Sequence, residues 1–367
     1  MTTIGVDARA LNLDGAGRTR ILREVLPRMV DRLEGDALVL YGAVGDPTPD
    51  LPPGAWTFSR LGRAWHAAAG IRASQRCDVL FSANTYISPM FATIPSATMV
   101  CDLVAFEQFH EAHRRARINE HISLPLAVRR CKALFCISQS TADDLVERFP
   151  KAASKVRITT LAASGQFSAD APPDFAADVA REHSLPDGFV LAVGTIEPRK
   201  NLVRLIHAHD RLPPELRDRF PLLIAGRRGW ATDDFDTALA AASGPARVLG
   251  YVSDAELNVL YRRCTVFCYP SLYEGFGLPV LEAMTTGAAV VTSTTSSLPE
   301  VAGDAALLVD PTDVAAIEAA LRSLLDNAAD RRRLQDRAVV NAQRFQWSTT
   351  AQTLLDELRA LKRSRRA

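Results

Sequence analysis

Short apolar runs alternate with longer amphipathic stretches along the first half of the chain. Uninterrupted runs of this kind are typical of strands that are buried on both faces, and the stretches between them carry a helical period. The runs lie at 3–6, 37–41, 79–82, 97–101, 133–137 and 156–160, and the helical stretches include 18–33 and 114–130. This alternation predicts a parallel sheet that is covered by helices.

The pattern breaks and then restarts. Residues 164–188 are rich in Ala, Pro, Asp and Ser, which predicts a linker with a short helix. Further strand-like runs lie at 189–193, 222–225, 247–249, 266–269, 289–292 and 306–309, followed by helical stretches at 314–325, 331–344 and 348–361. We therefore predict an α/β protein with two doubly wound, Rossmann-like domains at 1–170 and 171–345. A final helix within 346–367 is expected to pack back on the first domain.

A chain of 367 residues is long enough for two such domains. Open α/β sheets bind ligands beyond the carboxyl ends of their strands, so we expect a ligand between the domains, in the loops that follow the strands.

Composition narrows the function classes. The net charge of +1 argues against nucleic acid as a partner. The chain starts with no leader pattern and has no apolar run of membrane-spanning length, so a cytoplasmic protein is expected. Its six cysteines form no C-x-x-C pair, which favours buried, inert thiols over a disulfide or a zinc site.

A glycine-rich segment enters a predicted helix after the strand at 266–269. Pro279 suits the first turn of that helix, and Gly287 suits its end. Gly275 and Gly277 therefore lie where free backbone N–H groups meet the positive helix end. This arrangement predicts an anion site that fits a diphosphate.

Two carboxylates flank this segment. Beside a phosphate site they can accept hydrogen bonds from sugar hydroxyls, so we assign Glu282 to a ribose and Glu274 to a transferred sugar. The alternatives are a charge that complements the helix dipole for Glu282 and a solvated loop charge for Glu274. Neither alternative explains the adjacent glycines.

The loop after the strand at 189–193 reads Gly194-Thr195-Ile196-Glu197-Pro198-Arg199-Lys200-Asn201. Arg199 and Lys200 would neutralise the charge that grows on a departing diphosphate. The alternative, a solvated basic pair at a helix start, is disfavoured by the helix dipole.

Two further motifs are weaker. The segment at 15–20 begins like a dinucleotide fingerprint, but Arg20 stands in place of the third glycine, which argues against a NAD site. Asp234-Phe235-Asp236 spells a D-x-D metal signature, but it falls at a predicted helix start. We therefore predict that there is no metal site and no cofactor.

These motifs resemble the retaining glycosyltransferases of GT-B fold in group 1, or family 4, and most of all bacterial mannosyltransferases of surface polysaccharide assembly. Glu274 and Glu282 match the E-x7-E signature of that family. The likeness covers nearly the whole second domain, at 194–201, 224–226, 249–254, 270–284, 297–301 and 307–311.

The resemblance implies roles for particular residues. It makes the first domain acceptor-binding and the second nucleotide-sugar-binding, with Arg199, Lys200, Glu274 and Asp102 as catalytic residues. The donor-binding residues that it implies are Gly17, Arg18, Gly194, Val252, Gly275, Phe276, Gly277, Leu278 and Glu282. The family commonly has a His-Asp pair where this chain has Cys101-Asp102, and cysteine cannot reproduce the hydrogen bonds of imidazole at neutral pH.

The implied activity is transfer of a hexose to a glycan or lipid-linked acceptor without a metal. GDP-mannose is the favoured donor, and a UDP-hexose is the other candidate. Because of Cys101, the alternative is a catalytically impaired subunit that binds a sugar nucleotide and supports another transferase. The basic residues of the helix at 114–130 are compatible with peripheral contact to an anionic membrane, at the inner face of the cell membrane, or with an ordinary solvated face.

Overall fold

The computed structural model describes residues 1–12, 17–62, 65–83, 85–107, 114–168 and 173–364. The chain forms two compact units. The first consists of Met1–Leu161 together with Gln346–Ala367, and the second is Ala162–Phe345. The chain thus enters the second unit before residue 170. There, Phe167 packs edge to face on Tyr261 and the Ser168 N–H donates to the side chain of Asn258.

The first unit is built on a seven-stranded parallel sheet in the order β3-β2-β1-β4-β5-β6-β7. Its strands are β1 (Thr3–Asp7), β2 (Ala37–Ala43), β3 (Trp56–Leu61), β4 (Val79–Ser82), β5 (Ser96–Val100), β6 (Ala133–Cys136) and β7 (Val156–Ile158). Its helices are α1 (Gly17–Val30), α2 (Trp65–Arg76), α3 (Arg114–Arg130), α4 (Gln139–Arg148) and α14 (Trp347–Ser364).

The second unit is built on a six-stranded parallel sheet in the order β10-β9-β8-β11-β12-β13. Its strands are β8 (Val190–Val193), β9 (Leu222–Ala225), β10 (Ala246–Gly250), β11 (Val266–Tyr269), β12 (Val290–Ser293) and β13 (Leu307–Val309). Its helices are α5 (Pro173–Glu182), α6 (Leu202–Asp210), α7 (Pro214–Arg219), α8 (Asp233–Ala241), α9 (Asp254–Arg263), α10 (Leu278–Thr285), α11 (Leu298–Ala302), α12 (Val314–Asp326) and α13 (Ala328–Ala342).

The two parallel sheets confirm the predicted fold class, because each pairs its strands in parallel and is covered by helices. β3 was not predicted. It alternates polar and apolar residues at the edge of the sheet, so it lacks the continuous apolar run by which the central strands were recognised.

The last helix completes the first unit. α14 packs along α1, and its buried face includes Leu354, Leu355 and Leu358. Arg359 on the same helix pairs with Asp36 at 2.7 Å and donates to the main-chain oxygen of Arg32. The two ends of the chain therefore build one unit.

All six cysteines are free thiols, and five of them are buried, while Cys77 is half-buried. The predicted burial thus holds for five of the six thiols. Within the residues that the structure describes, no helix combines the length and the apolar character needed to cross a membrane.

Candidate functional site

The site of the second unit lies where its strand order reverses. β9 and β10 lie on one side of β8, whereas β11, β12 and β13 continue on the other side. The loops after β8 and β11 leave the same edge of the sheet and diverge there, which is where open α/β sheets bind ligands. Arg199 and Lys200 follow β8, and Glu274 follows β11.

Glycines bring the loops after β8 and β9 into close contact. Gly194 has φ +132°, and a Cβ on it would lie 3.3 Å from Cε of Lys200. Gly226 has φ +157°, and a Cβ on it would lie 1.9 Å from the main-chain oxygen of Gly194. Only glycine fits this approach, which lets the Lys200 side chain pass over the strand end.

Asn201 fixes the position of the two cations. Pro198–Lys200 form a 3-10 turn, and Asn201 ends it in the left-handed conformation with φ 59°. The Asn201 side-chain amide donates to the main-chain oxygens of Pro270 at 2.9 Å and Pro311 at 2.6 Å. Three loops at the carboxyl edge are therefore held together beneath Arg199 and Lys200.

Glu274 lies at the centre of a buried ion-pair network. Its Oε1 accepts hydrogen bonds from Lys200 Nζ at 2.6 Å, Ser271 Oγ at 2.7 Å and the Tyr269 hydroxyl at 2.8 Å. Its Oε2 lies 2.8 Å from Nη1 of Arg199. The interpretation of Glu274 as a solvated loop charge is therefore wrong, because the loops after β8 and β11 enclose it.

Arg199 is held from a second side by Glu197. Nε and Nη2 of Arg199 donate to Oε1 of Glu197 at 3.0 and 2.6 Å, and Nη1 also donates to the main-chain oxygen of Tyr273 at 2.8 Å. Two carboxylates and two cations thus balance, and each charged group has a hydrogen-bonded partner. A buried cluster of this kind is stable only when it is complete.

Burial and charge act in opposite directions on these groups. Burial would raise the pKa of the Glu274 carboxyl, but the charges of Lys200 and Arg199 outweigh it and lower this pKa to about 2. Burial lowers the pKa of the Lys200 ammonium, against the charge of Glu274, which raises it. Burial, and then the charge of Glu274, raise the pKa of the Tyr269 phenol well above its usual value. At neutral pH, Glu274 is therefore a carboxylate, and it accepts a hydrogen bond from the Tyr269 hydroxyl.

The glycine-rich segment enters α10 as predicted. Gly277 is the cap residue in a left-handed conformation with φ 103°, Pro279 lies in the first turn, and Gly287 follows the helix end with φ 81°. Phe276 is buried and packs edge to face on Phe345, with ring centroids 5.7 Å apart. Phe276 can therefore meet a ligand only through its main chain, as can Gly275 and Gly277. The first-turn N–H groups of a helix have no acceptor within the helix.

Glu282 is deeply buried, one turn into α10. Its Oε2 accepts from the hydroxyl of Tyr261 on α9 at 3.2 Å. The structure thus separates the two carboxylates of the E-x7-E pair, because Glu274 lies with the cations and Glu282 lies between two helices.

Val252 lies between β10 and Ser253, the cap residue of α9. Its side chain is buried, so a ligand can meet its main chain only. Ser253 caps α9 by accepting from the Glu256 N–H at 3.3 Å, and the Glu256 side chain accepts from the Ser253 N–H at 2.6 Å. This capping box fixes the turn that presents Val252.

The first unit carries polar groups at the ends of its strands. Asp102 follows β5, and its Oδ1 accepts from the Val104 N–H at 3.1 Å, where a short 3-10 turn begins. Cys101, beside it, is buried. Gly17 and Arg18 form the start of α1, while Gly15 and Ala16 of the same predicted loop lie outside the described residues.

Asp7 is a functional candidate that the sequence analysis missed. It ends β1 beside Ser82, which ends β4, at the point where the strand order of this sheet reverses. Its Oδ2 accepts from Ser82 Oγ at 3.2 Å and Ser88 Oγ at 3.1 Å. Burial raises the pKa of Asp7 to about 6, and the hydrogen bond from Ser88 acts against this rise. Its position as an acid at the end of a central strand was the available signal.

The D-x-D motif lies on α8, at the predicted helix start. Oδ2 of Asp236 lies 2.6 Å from Nη1 of Arg228, and both side chains are exposed. Elsewhere among the described residues, His183, Glu256 and the exposed Glu182 place three potential metal ligands within 4.8 Å of one another. Glu256 already serves the cap of α9.

Comparison with known proteins finds a family match over part of the chain. Residues 177–340 match the model of the glycosyl transferases group 1 family. The O-antigen chain mannosyltransferase B of Escherichia coli is 37% identical over 235 residues, which cover 63% of this chain and 62% of that protein. The MMP alpha-(1->4)-mannosyltransferase of Mycolicibacterium hassiacum is 30% identical over 64% of this chain and 56% of its own length. The chain thus spans less than two thirds of these relatives.

Solved structures match over nearly the whole chain. HepE of Anabaena, crystallised with UDP and glucose, superposes with a TM-score of 0.76 at 15% identity, covering 98% of this chain and 100% of that one. WaaG, a glycosyltransferase involved in lipopolysaccharide biosynthesis, superposes with a TM-score of 0.71 at 16% identity, covering 97% and 99%. The protein therefore has the GT-B fold, and its residues 177–340 are similar to the glycosyl transferases of group 1.

Proposed function

We propose that the protein is a retaining hexosyltransferase that moves mannose from GDP-mannose to a glycan or lipid-linked acceptor. The observation that carries this proposal is the Arg199–Lys200–Glu274 cluster at the strand-order reversal of the second unit. The mannosyltransferase names of the similar proteins support mannose over another hexose.

The cluster supplies what a departing nucleoside diphosphate requires. As the bond between the sugar carbon and the diphosphate oxygen breaks, negative charge grows on the diphosphate. Arg199, Lys200 and the N-terminus of α10 are fixed in place beforehand, so they stabilise that charge without reorganising. The acceptor hydroxyl forms the new bond on the face that the diphosphate leaves, and the leaving phosphate takes its proton. Configuration at the sugar carbon is thereby retained.

Reaction without a metal is part of the proposal. Two cations and a helix end already provide positive charge for the diphosphate. We expect EDTA to leave the rate of transfer unchanged. An activity that EDTA abolishes and Mg²⁺ or Mn²⁺ restores would contradict this expectation.

Donor identity is tested by a thermal-shift screen of GDP-mannose, UDP-glucose and UDP-GlcNAc. A ligand at 100 times its Kd adds about 2.7 kcal/mol of stability, which is a readily measured shift. We expect stabilisation by GDP-mannose. Stabilisation by a UDP-sugar alone would replace the proposed donor, and no response to any nucleotide sugar would contradict the proposed function.

The role of Lys200 is tested by Lys200→Met, which keeps the stem of the side chain and removes its charge. We expect transfer to fall by at least about tenfold, because a charge-assisted hydrogen bond contributes about 1.5–3 kcal/mol. Arg322→Met is the matched control, because Arg322 is exposed on α12 and pairs with Asp326. Equal rates in the two variants would remove Lys200 from the mechanism.

Cys101 favours a second candidate function, a sugar-nucleotide-binding subunit that supports another transferase. A buried thiol beside Asp102 is a weaker hydrogen-bond donor than imidazole. The wild type and Cys101→His are to be compared for donor hydrolysis and transfer. An active wild type rejects the subunit function, whereas an inactive wild type with an active variant would support it.

We further propose peripheral contact of the first unit with an anionic membrane, at the inner face of the cell membrane. On α3, Ile118 and Ile122 lie one turn apart with 50% and 59% of their surface exposed, and Arg129 and Arg130 are exposed in the last turn. Apolar side chains can enter a lipid surface, and each basic side chain near the anionic headgroups contributes about 1 kcal/mol to binding. Binding to phosphatidylglycerol vesicles should fall in Ile118→Ser/Ile122→Ser, and equal binding would reject this surface.

A further inference from the structure

Glu274 occupies the position from which an anion would meet both cations of the site. Its two oxygens divide between Lys200 Nζ at 2.6 Å and Arg199 Nη1 at 2.8 Å. A diphosphate that binds Arg199 and Lys200 must come equally close to the same two groups. Like charges at such distances repel strongly in a buried site, so both anions cannot pair with these cations at once.

We propose that Glu274 competes with the diphosphate of the donor for Arg199 and Lys200, and that donor binding exchanges these ion pairs and releases the Glu274 carboxylate toward the sugar. This inference rests on the proposed function, because it takes a nucleoside diphosphate as the ligand. Glu274 thereby lowers the affinity for the diphosphate, an effect that a simple contact with the sugar would not produce.

The main chain around Glu274 is fixed, so the exchange involves its side chain. The Glu274 N–H donates to Ser296 Oγ at 2.9 Å, and its main-chain oxygen accepts from Ser297 Oγ at 3.0 Å. Both bonds lie outside the ion-pair network. Rotation of the side chain can therefore move the carboxylate without moving the loop.

The cations keep other partners when Glu274 leaves. Glu197 holds Arg199 through Nε and Nη2, which leaves Nη1 to exchange one anion for another. Lys200 Nζ also donates to the Tyr269 hydroxyl at 2.5 Å. The two positive groups thus remain aimed at the same place, where the diphosphate replaces the carboxylate.

After transfer, the same competition acts in reverse. The nucleoside diphosphate has lost its sugar, so Glu274 has no sugar hydroxyl to bind and returns to Arg199 and Lys200. Its return weakens the hold on the product. Glu274 therefore contributes both to the transfer step and to the release of the nucleoside diphosphate.

The test measures binding of GDP and of UDP by isothermal titration calorimetry. Both probes lack the sugar, so a lost contact between Glu274 and sugar cannot affect them. Exchange predicts that Glu274→Gln binds the recognised nucleoside diphosphate about tenfold more tightly than the wild type, the scale of one charge-assisted contact. The matching nucleotide sugar should gain less, because that variant also loses its sugar contact.

Glu274→Asp provides a second variant if Glu274→Gln does not fold. Aspartate keeps the charge but is shorter by one methylene, so it pairs less well with the two cations. Binding of the nucleoside diphosphate should therefore tighten about threefold. Asp326→Asn is the matched control, because it removes one exposed carboxylate on α12, and its affinity should equal that of the wild type.

The outcomes separate the two proposals. A folded Glu274 variant that binds the nucleoside diphosphate no more tightly than the wild type overturns the exchange and leaves the transferase function in place. A wild type that binds neither GDP nor UDP contradicts the proposed function itself.

Discussion

At the scale of single residues, the most unusual group is Asp7, a carboxyl buried at the end of a central strand. It has hydrogen bonds from two serines and from the Arg9 N–H at 3.4 Å, but no described residue forms an ion pair with it closely enough to offset its burial. A raised pKa means that the folded protein keeps its proton to a higher pH than the unfolded chain does. Ionisation of Asp7 therefore opposes folding.

We predict that Asp7→Asn stabilises the protein, and that the gain depends on pH. Stability from a neutral Asp7 is fully present below pH 3.8, its ordinary pKa, and is lost as pH rises to about 6. The difference in the free energy of unfolding between variant and wild type should grow over that window, and then level off at no more than about 3 kcal/mol. Denaturant unfolding at several pH values measures it. A difference that is constant from pH 4 to pH 7 would show that Asp7 does not titrate in this range.

The sequence identifies Arg199, Lys200 and Glu274 by residue type and position, but it does not encode their pairing in any local pattern. The sequence predicts that Glu274 meets a sugar, and in the structure its carboxylate lies between the two cations. That contact depends on how far the loops after β8 and β11 approach each other, which no local pattern encodes. Glu197 and Tyr269 were missed for the same reason, because their role arises only when both loops are in place.

At the scale of elements, the approach of the loops after β8 and β9 sets the shape of the site. Gly226 allows it, because a Cβ at this position would collide with the main-chain oxygen of Gly194. Gly250, at the end of β10, also has a positive φ of 79°, but a Cβ there would meet nothing within 4 Å. Comparison of Gly226 with Gly250 therefore separates the cost of a steric clash from the cost of a positive φ.

We predict that Gly226→Ala destabilises the second unit far more than Gly250→Ala does. The second change carries only the conformational cost of a positive φ, about 1–2 kcal/mol. The first adds a Cβ at 1.9 Å from an oxygen, so the loss should exceed about 4 kcal/mol or prevent folding. Melting temperatures of the two variants check this. Similar melting temperatures would mean that the loops separate easily.

The strands of the core were predictable because each one is a short apolar run. Predicted and observed bounds coincide at 79–82, 222–225 and 266–269. α2 and β3 were not predicted, since α2 has many small and polar residues and β3 is an edge strand of mixed polarity. An apolar pattern predicts an element whose residues are fully buried, and it does not reveal an element that is only partly buried.

At the scale of the whole molecule, the first unit depends on the last helix of the chain. Leu354, Leu355 and Leu358 of α14 are fully buried. Burial of one such side chain contributes about 1.5–3 kcal/mol, so the three together are comparable with the stability of a typical domain.

We predict that a chain ending at Phe345 keeps a folded second unit and loses the first. Hydrogen exchange with mass spectrometry should show protected amides in β8 to β13 and rapid exchange in β1 to β7. A chain that lacks only residues 365–367 is the control and should match the wild type. Protected amides in β1 to β7 of the shortened chain would show that α14 is dispensable.

The division of the first unit between the two ends of the chain has a consequence for its synthesis. A ribosome adds about 5–20 residues each second, so residues 162–345 take roughly 10–40 seconds to translate. The second unit can fold during that time, although it comes later in the sequence. The seven strands made first must wait, with the face of α1 exposed, until α14 has left the exit tunnel. The nascent chain is therefore a candidate substrate for chaperones during this interval, and the order of completion is the reverse of the order of translation.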